Sequence, residues 1–270
     1  VIKPQQTTLF GFDGSPDELI AEIIKNKPSE ELREGYIWHI GNVRDVGDND
    51  GFIFAAGRTT KKSKALYDEE SKDFLEVDDE ESPFTYAYYD RGYGILGIEP
   101  KSKLSPTAKG ISRNLEKLLN KNDVVRNSGI KIEISEIWDP EDFLKHIRES
   151  YSVVGFTVNF GNPNPFDVEA DFHRPMENYL QATGGDKGKA AVQGPDLDRD
   201  KIEEVTRSVA STGNDASARI RLYEGQRPVT KHLEGDPVVV PIKEEERTEA
   251  IGLFGRIRNA YSRIRMQRKE

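Results

Sequence analysis

Phe84-Thr85-Tyr86-Ala87-Tyr88-Tyr89-Asp90, then Arg91-Gly92, then Tyr93-Gly94-Ile95-Leu96-Gly97-Ile98-Glu99 is the stretch that decides the fold. Two runs rich in aromatic and apolar residues flank a short break containing glycine, the pattern of two antiparallel strands joined by a tight turn. Upstream, Tyr36 to Gly41 and Gly51 to Ala56 read as strands around the turn-rich Asp45 to Asp50, and are expected as a hairpin or as adjacent edge strands. Downstream, Ser105-Pro106 followed by Ile111, Leu115, Leu118 and Leu119 predicts a helix, after which Ile130 to Ile137 returns to alternation. Asp139-Pro140 opens a short helix carrying Phe143, Leu144 and Ile147, and Tyr151 to Phe160 is a long β-rich run. This order predicts an α+β fold with a mixed or antiparallel sheet, a ferredoxin-like or related split βαβ unit being the specific form expected.

The flanks extend this pattern. Residues 13–34 hold a first helix, with Pro16 at its start and Leu19, Ile20, Ile23 and Ile24 on one face. Lys61 to Pro83 is charged, with Asp78, Asp79, Glu80 and Glu81 in one run, and is expected to be an exposed connection. Beyond Asn162-Pro163-Asn164-Pro165 the chain reads as helix over 168–183, strand over 189–193, helix over 198–211 and strand over 216–224. Val238 to Val240, between Pro237 and Pro241, suggests an edge strand. The expected divisions are an N-terminal α/β region with the acidic connection (1–83), an α+β core (84–247) and a basic amphipathic helix (248–270).

Composition narrows the chemistry. With no cysteine among 270 residues, disulfides, thiolate metal sites and a cysteine nucleophile are excluded. No apolar run approaches the roughly 20 residues needed to span a bilayer, and the N-terminus has no signal-like arrangement, so a cytoplasmic location is expected. A net charge of −9 argues against a surface that is cationic throughout while leaving room for a local basic patch.

Asp90 with Glu99-Pro100-Lys101 has the outline of a nuclease site, in which two carboxylates hold Mg²⁺ and a lysine assists hydrolysis. Pro100 sits awkwardly in the strand that would carry Glu99 and Lys101, and the bland alternative gives Asp90 a turn and Lys101 a strand end. Asp167, Glu169, Asp171 and His173 alternate along one segment, but on a helix only residues four apart share a face, and acids at a helix start explain them equally well. No metal site is expected from them, and no cofactor is expected unless Mg²⁺ serves the nuclease reading. Thr183 to Lys189 is glycine-rich but lacks the Gly-Lys-Ser/Thr ending of a phosphate loop, so a surface loop is expected. No Gly-x-Ser-x-Gly elbow supports a serine triad.

The C-terminal segment departs most from the average. Thr248 to Glu270 places Ile251, Phe254, Ile257, Tyr261 and Ile264 at helical spacing, surrounded by Arg256, Arg258, Arg263, Arg265, Arg268 and Lys269. Such a helix can bind phosphates, lie on an anionic membrane, dock onto a partner, or pack on its own core with a solvated basic face.

The segment FTYAYYDRGYGILGIEPKSKLSP (84–106), followed by a helix and IKIEISEIW (130–138), resembles poorly characterised α+β proteins encoded in bacterial anti-phage defence islands, over roughly residues 84–240 in order of elements. The resemblance implies an accessory role in antiviral defence within a multi-component system and transfers no catalytic residue. The function expected first is therefore a non-enzymatic component that binds nucleic acid or a protein partner through the basic helix. The alternatives are a metal-dependent nuclease built on Asp90, Glu99 and Lys101, and a structural subunit whose terminal helix joins protomers into a homo-oligomer.

Overall fold

The computed structural model describes residues 2–6, 16–47, 50–128, 130–161, 173–185, 187–242 and 250–265. The chain divides into two compact units, residues 4–134 and residues 135–270 with 1–3. The division falls within β1 (Ile2–Gln6); the first unit also holds α1 (Pro16–Lys25), β2 (Ser29–Arg33), β3 (Tyr36–Val46), β4 (Gly51–Asp68), β5 (Asp73–Glu81), β6 (Phe84–Asp90), β7 (Ile95–Ile98), α2 (Ala108–Lys121), α3 (Asp123–Ser128) and β8 (Ile130–Ile134). The second holds α4 (Glu141–Arg148), β9 (Ser152–Gly161), α5 (His173–Thr183), β10 (Lys187–Gln193), α6 (Arg199–Ser211), β11 (Asp215–Arg221), β12 (Val229–His232) and α7 (Ala250–Arg265). Helices and antiparallel sheets together make the α+β fold expected from the sequence.

In the N-terminal unit the decisive hairpin forms as β6 and β7, with Asp90 opposite Ile95. It joins an antiparallel sheet in the order β2-β3-β4-β6-β7, with β5 paired to β4 off that path. The sheet therefore crosses the expected division at 83/84: residues 84–98 belong with 36–68. Leu19, Ile20, Ile23 and Ile24 of α1 are fully buried, as are Ile111 and Leu118 of α2. Both helices lie against β3, and burial of each such side chain contributes roughly 2 kcal/mol. Thr107 caps α2 by accepting from the Gly110 amide at 3.1 Å. Asn120 on α2 then acts as a surrogate strand for β8, donating to the Ile132 carbonyl at 2.6 Å and accepting from its amide at 2.8 Å.

Two expectations change here. The first helix ends at Lys25, because Lys27 has φ +49 and Pro28 follows, and the chain continues as β2, an alternating strand that helical reading of 13–34 overlooks. The charged stretch 61–83 is no loose connection but the β4–β5 hairpin. β4 pairs with β3 up to Thr60 and with β6 up to Gly57, whereas its residues 60–68 pair with β5. From Lys61 outward the hairpin is a two-stranded arm. Its register sets Lys61 opposite Glu80 and Lys62 opposite Asp79, a pairing that a count of charges along the chain does not reveal. At the tip Asp68 accepts from the Ser71 hydroxyl at 2.7 Å, and the Tyr67 and Phe74 rings meet at 5.2 Å with Phe74 79% exposed.

The C-terminal unit carries a four-stranded antiparallel sheet in the order β10-β9-β11-β12. Phe143, Leu144 and Ile147 of α4, Ile202 and Val209 of α6 and Ile264 of α7 pack with Val153, Phe156, Val158, Ala218 and Ile220 on one sheet face. Asp198 caps α6 by accepting from the Lys201 amide at 3.0 Å. Because β10 and β11 both run antiparallel to β9, they are parallel to each other, and β10-α6-β11 is a split βαβ unit with β9 between its strands. The strands expected to form a ferredoxin-like unit, 84–160, instead fall into three sheets. The edge strand expected at Val238 to Val240 is also absent: Pro237 makes one isolated bridge to Trp138, and the edge is β12. Among the described residues no helix is long and apolar enough to cross a membrane.

Candidate functional site

The basic terminal helix forms as α7, and its apolar side is spent within its own unit. Leu253, Phe254, Ile257, Ala260, Tyr261 and Ile264 are each 8% exposed or less, whereas Ile251, expected in the stripe, is 75% exposed. The buried residues follow the 3–4 spacing of a helix packed on α6. This removes the apolar surface that joining protomers through α7 would require. Arg263 and Arg265 are exposed and Arg256 and Arg258 half-buried; Arg256 donates to the Pro241 carbonyl at 2.5 Å. Arg268 and Lys269 lie outside the described residues.

Beside α7 is a cleft of about 970 Å³ lined by Asp139, Glu141, Arg207, Asp236, Val239 and Arg263, among others. Arg207, one of these lining residues, is only 1% exposed. Its Nε and Nη2 donate to Glu203 Oε1 at 3.0 and 2.8 Å, Nη2 also to Glu141 Oε1 at 2.7 Å, and Nη1 to the Ile264 carbonyl at 3.3 Å. Arg148 closes the network, its Nε donating to Glu203 Oε2 at 2.9 Å and its Nη1 to Glu141 Oε2 at 3.3 Å. Hydrogen bonding from Arg148, reinforced by Arg207 against the opposing effect of burial, holds the Glu203 carboxyl below its usual range. Burial pushes Glu141 up, but Arg207 and Arg148 outweigh it and leave that carboxyl lowered too. These commitments make Arg207 a clamp between α4, α6 and the end of α7 rather than a ligand-binding cation. Only its helical spacing from Glu203 is visible in the sequence.

Asp90, Glu99 and Lys101 do not converge. Asp90 is 1% exposed and its Oδ1 accepts from the Tyr93 amide at 3.1 Å, a turn role. Glu99 Oε1 accepts from the Tyr88 hydroxyl at 2.5 Å, and its amide donates to the Tyr86 carbonyl at 3.1 Å. Asp90 and Glu99 thus sit four strand positions apart, roughly 13 Å at a rise of about 3.3 Å per residue. Two carboxylates sharing one ion at about 2–2.6 Å each must lie far closer. Lys101 is exposed beyond the end of β7.

The other candidates resolve as simply. Ser29 Oγ lies 2.7 Å from His39 Nδ1, and His39 Nε2 lies 3.0 Å from Thr59 Oγ1, a polar ladder across β2, β3 and β4. Its third member is a hydroxyl rather than the carboxylate of a triad. Gly184 has φ +66 after the end of α5, and the glycine-rich stretch expected as a surface loop instead runs from the last residue of α5 at Thr183 into β10 at Lys187 to Lys189. Asp167, Glu169 and Asp171 lie outside the described residues, and of His173 only its place at the start of α5 is described. Among the described residues no three histidine, aspartate or glutamate side chains are grouped to hold a metal ion. The chain matches no protein-family model and no curated protein, so its functional reading rests on the geometry of these surfaces.

Proposed function

We propose that this protein is a non-enzymatic binding component that contacts nucleic acid through its C-terminal unit, with α7 supplying cations. The observation that carries the reading is the orientation of α7: its apolar stripe is buried, and Arg263 and Arg265 are exposed. On a chain of net charge −9 these exposed arginines are the cations α7 offers for phosphate contacts, although Asp139, Glu141 and Asp236 line the cleft beside Arg263. The separation of Asp90 from Glu99 weighs against the nuclease reading, and the burial of the α7 stripe against oligomerisation through that helix.

The test is binding of labelled single- and double-stranded oligonucleotides across a salt series, comparing the intact protein with Arg263→Glu/Arg265→Glu, with Mg²⁺ added in parallel. Salt-sensitive binding that weakens in the variant supports the reading; unchanged binding refutes the role of α7, and Mg²⁺-dependent cleavage restores the nuclease. The antiviral setting that the resemblance implies belongs to this proposal, and unchanged phage plating in cells with and without the protein would count against it.

A further inference from the structure

On the four-stranded sheet of the C-terminal unit, α4, α6 and the end of α7 occupy one face. Two glycines establish what the other face carries. A Cβ at Gly188 would lie 2.4 Å from the Phe160 ring, so Gly188 faces the core and its neighbours Lys187 and Lys189 face outward. A Cβ at Gly155 would instead lie 3.5 Å from Arg219 Cβ and 3.6 Å from its Cδ, so the Arg219 stem runs across Gly155 on the outer face. Arg221, next to the core residue Ile220 and opposite Ser152, alternates outward as well.

The outer face is therefore cationic at opposite corners. Lys187, Lys189 and Arg219 are exposed and Arg221 half-buried, and among the described residues none of the four forms an ion pair. Asp215 is the one acid in the registered rows between them, whose centre is Thr157, Ser217 and Asn159, small side chains able to donate and accept hydrogen bonds. Lys189 opposes Asn159 and Arg219 opposes Gly155, four positions along β9 and two strands across, a diagonal of roughly 16 Å. Beside Arg221, Tyr151 is 52% and Tyr223 63% exposed, and the Tyr151 amide donates to the Arg221 carbonyl at 2.8 Å. Cations tracking a backbone and exposed aromatic rings for stacking are the two requirements of a single-strand platform. Among the described residues no helix or ribbon stands on these rows to enter a duplex groove.

We propose that this outer sheet face binds single-stranded nucleic acid, with phosphates on Lys187, Lys189, Arg219 and Arg221 and bases against the hydroxyl-lined centre and the two tyrosines. The inference rests on the reading of the protein as a nucleic-acid binder but not on α7, which packs on the opposite side of the sheet.

The experiment is fluorescence anisotropy of the full chain with labelled oligo(dT), oligo(U) and duplex DNA of about 20 units, over about 50 to 200 mM salt. Lys189→Glu/Arg219→Glu is compared with Arg263→Glu/Arg265→Glu, each checked for folding by circular dichroism, with Lys189→Gln/Arg219→Gln replacing a reversal that unfolds. Single-strand affinity is expected to fall about tenfold or more in the sheet variant, and loss of two phosphate contacts lowers the salt slope by about 1.4. Tyr151→Ala/Tyr223→Ala is expected to weaken binding without changing that slope. Loss in the sheet variant alone supports the face and refutes α7 as the contact; loss in both supports both surfaces. Loss in the α7 variant alone overturns the sheet proposal and leaves the reading of α7 standing. A duplex preference, or binding only to vesicles of anionic phospholipid, overturns the single-strand assignment, and absence of any binding overturns both readings.

Discussion

Arg207 binds together residues 57 and 66 positions away in sequence through one guanidinium. Its burial is tolerable because carboxylates and a carbonyl meet its donors; removing it opens a buried gap and leaves Glu203, 14% exposed, with Arg148 as its remaining guanidinium partner. Arg207→Ala is expected to lower stability by about 3 kcal/mol, read from urea unfolding; a loss below about 1 kcal/mol would show that the carboxylates simply rehydrate. Glu141→Gln should cost much less, because Glu141 is 41% exposed and water screens its share of the pairing. The pH dependence has a definite sign. Both carboxyls are lowered from 4.5 in the folded chain, so their contribution is complete above about pH 4.5 and is lost as pH falls through their folded values. Melting temperature should fall over that acid window in the intact protein and fall less in Arg207→Ala; equal slopes would disprove the linkage. Of this network only the four-residue spacing of Glu203 and Arg207 was legible in the sequence, since Glu141, Glu203 and Ile264 come from three elements.

At the scale of elements, legibility followed periodicity. The helical spacing of Ile111 to Leu119 gave α2 because the helix buries one regular face, whereas β6 was legible from its aromatic and apolar content, since Ala87 to Asp90 are buried on both faces of the strand. The β4–β5 arm was missed because it is a strand pairing written in charged residues rather than in an apolar alternation, and β2 because a five-residue polar edge strand has little pattern to read. The arm should open locally: amides of 61–81 are expected to exchange with solvent orders of magnitude faster than those of 52–59, in hydrogen-exchange measurements. Equal protection would mean the arm is covered by something in solution. Gly57 shows the opposite regime. Its missing side chain admits β6, with Phe84 Cβ 2.7 Å and the Pro83 carbonyl 3.0 Å from where a Cβ would lie. Gly57→Val should therefore cost about 1–3 kcal/mol of stability by thermal unfolding; a neutral result would show that the β4–β6 spacing yields easily.

For the whole molecule, function was less legible than fold because charge was read along the chain rather than across surfaces. The arginine-rich end of α7 stood out as a run, whereas Lys187, Lys189, Arg219 and Arg221 are scattered in sequence and meet only through the β9 register. The placement of these cations in the C-terminal unit separates stability from binding. Gly57→Val, in the N-terminal unit, should lower the melting point yet leave oligonucleotide affinity per folded molecule unchanged; a parallel loss of affinity would bring the N-terminal unit into the binding surface. The arm has one more consequence, a mechanical one. A tug on β5 near the tip would peel it from β4 like a zipper, breaking its hydrogen bonds one rung after another, whereas the same load passed down β4 meets the β3 and β6 pairings side-on, all sharing it together. Tension applied at the arm would thus be dissipated there before it reached the sheet, making the arm a fuse that yields first and can close again when the load is gone.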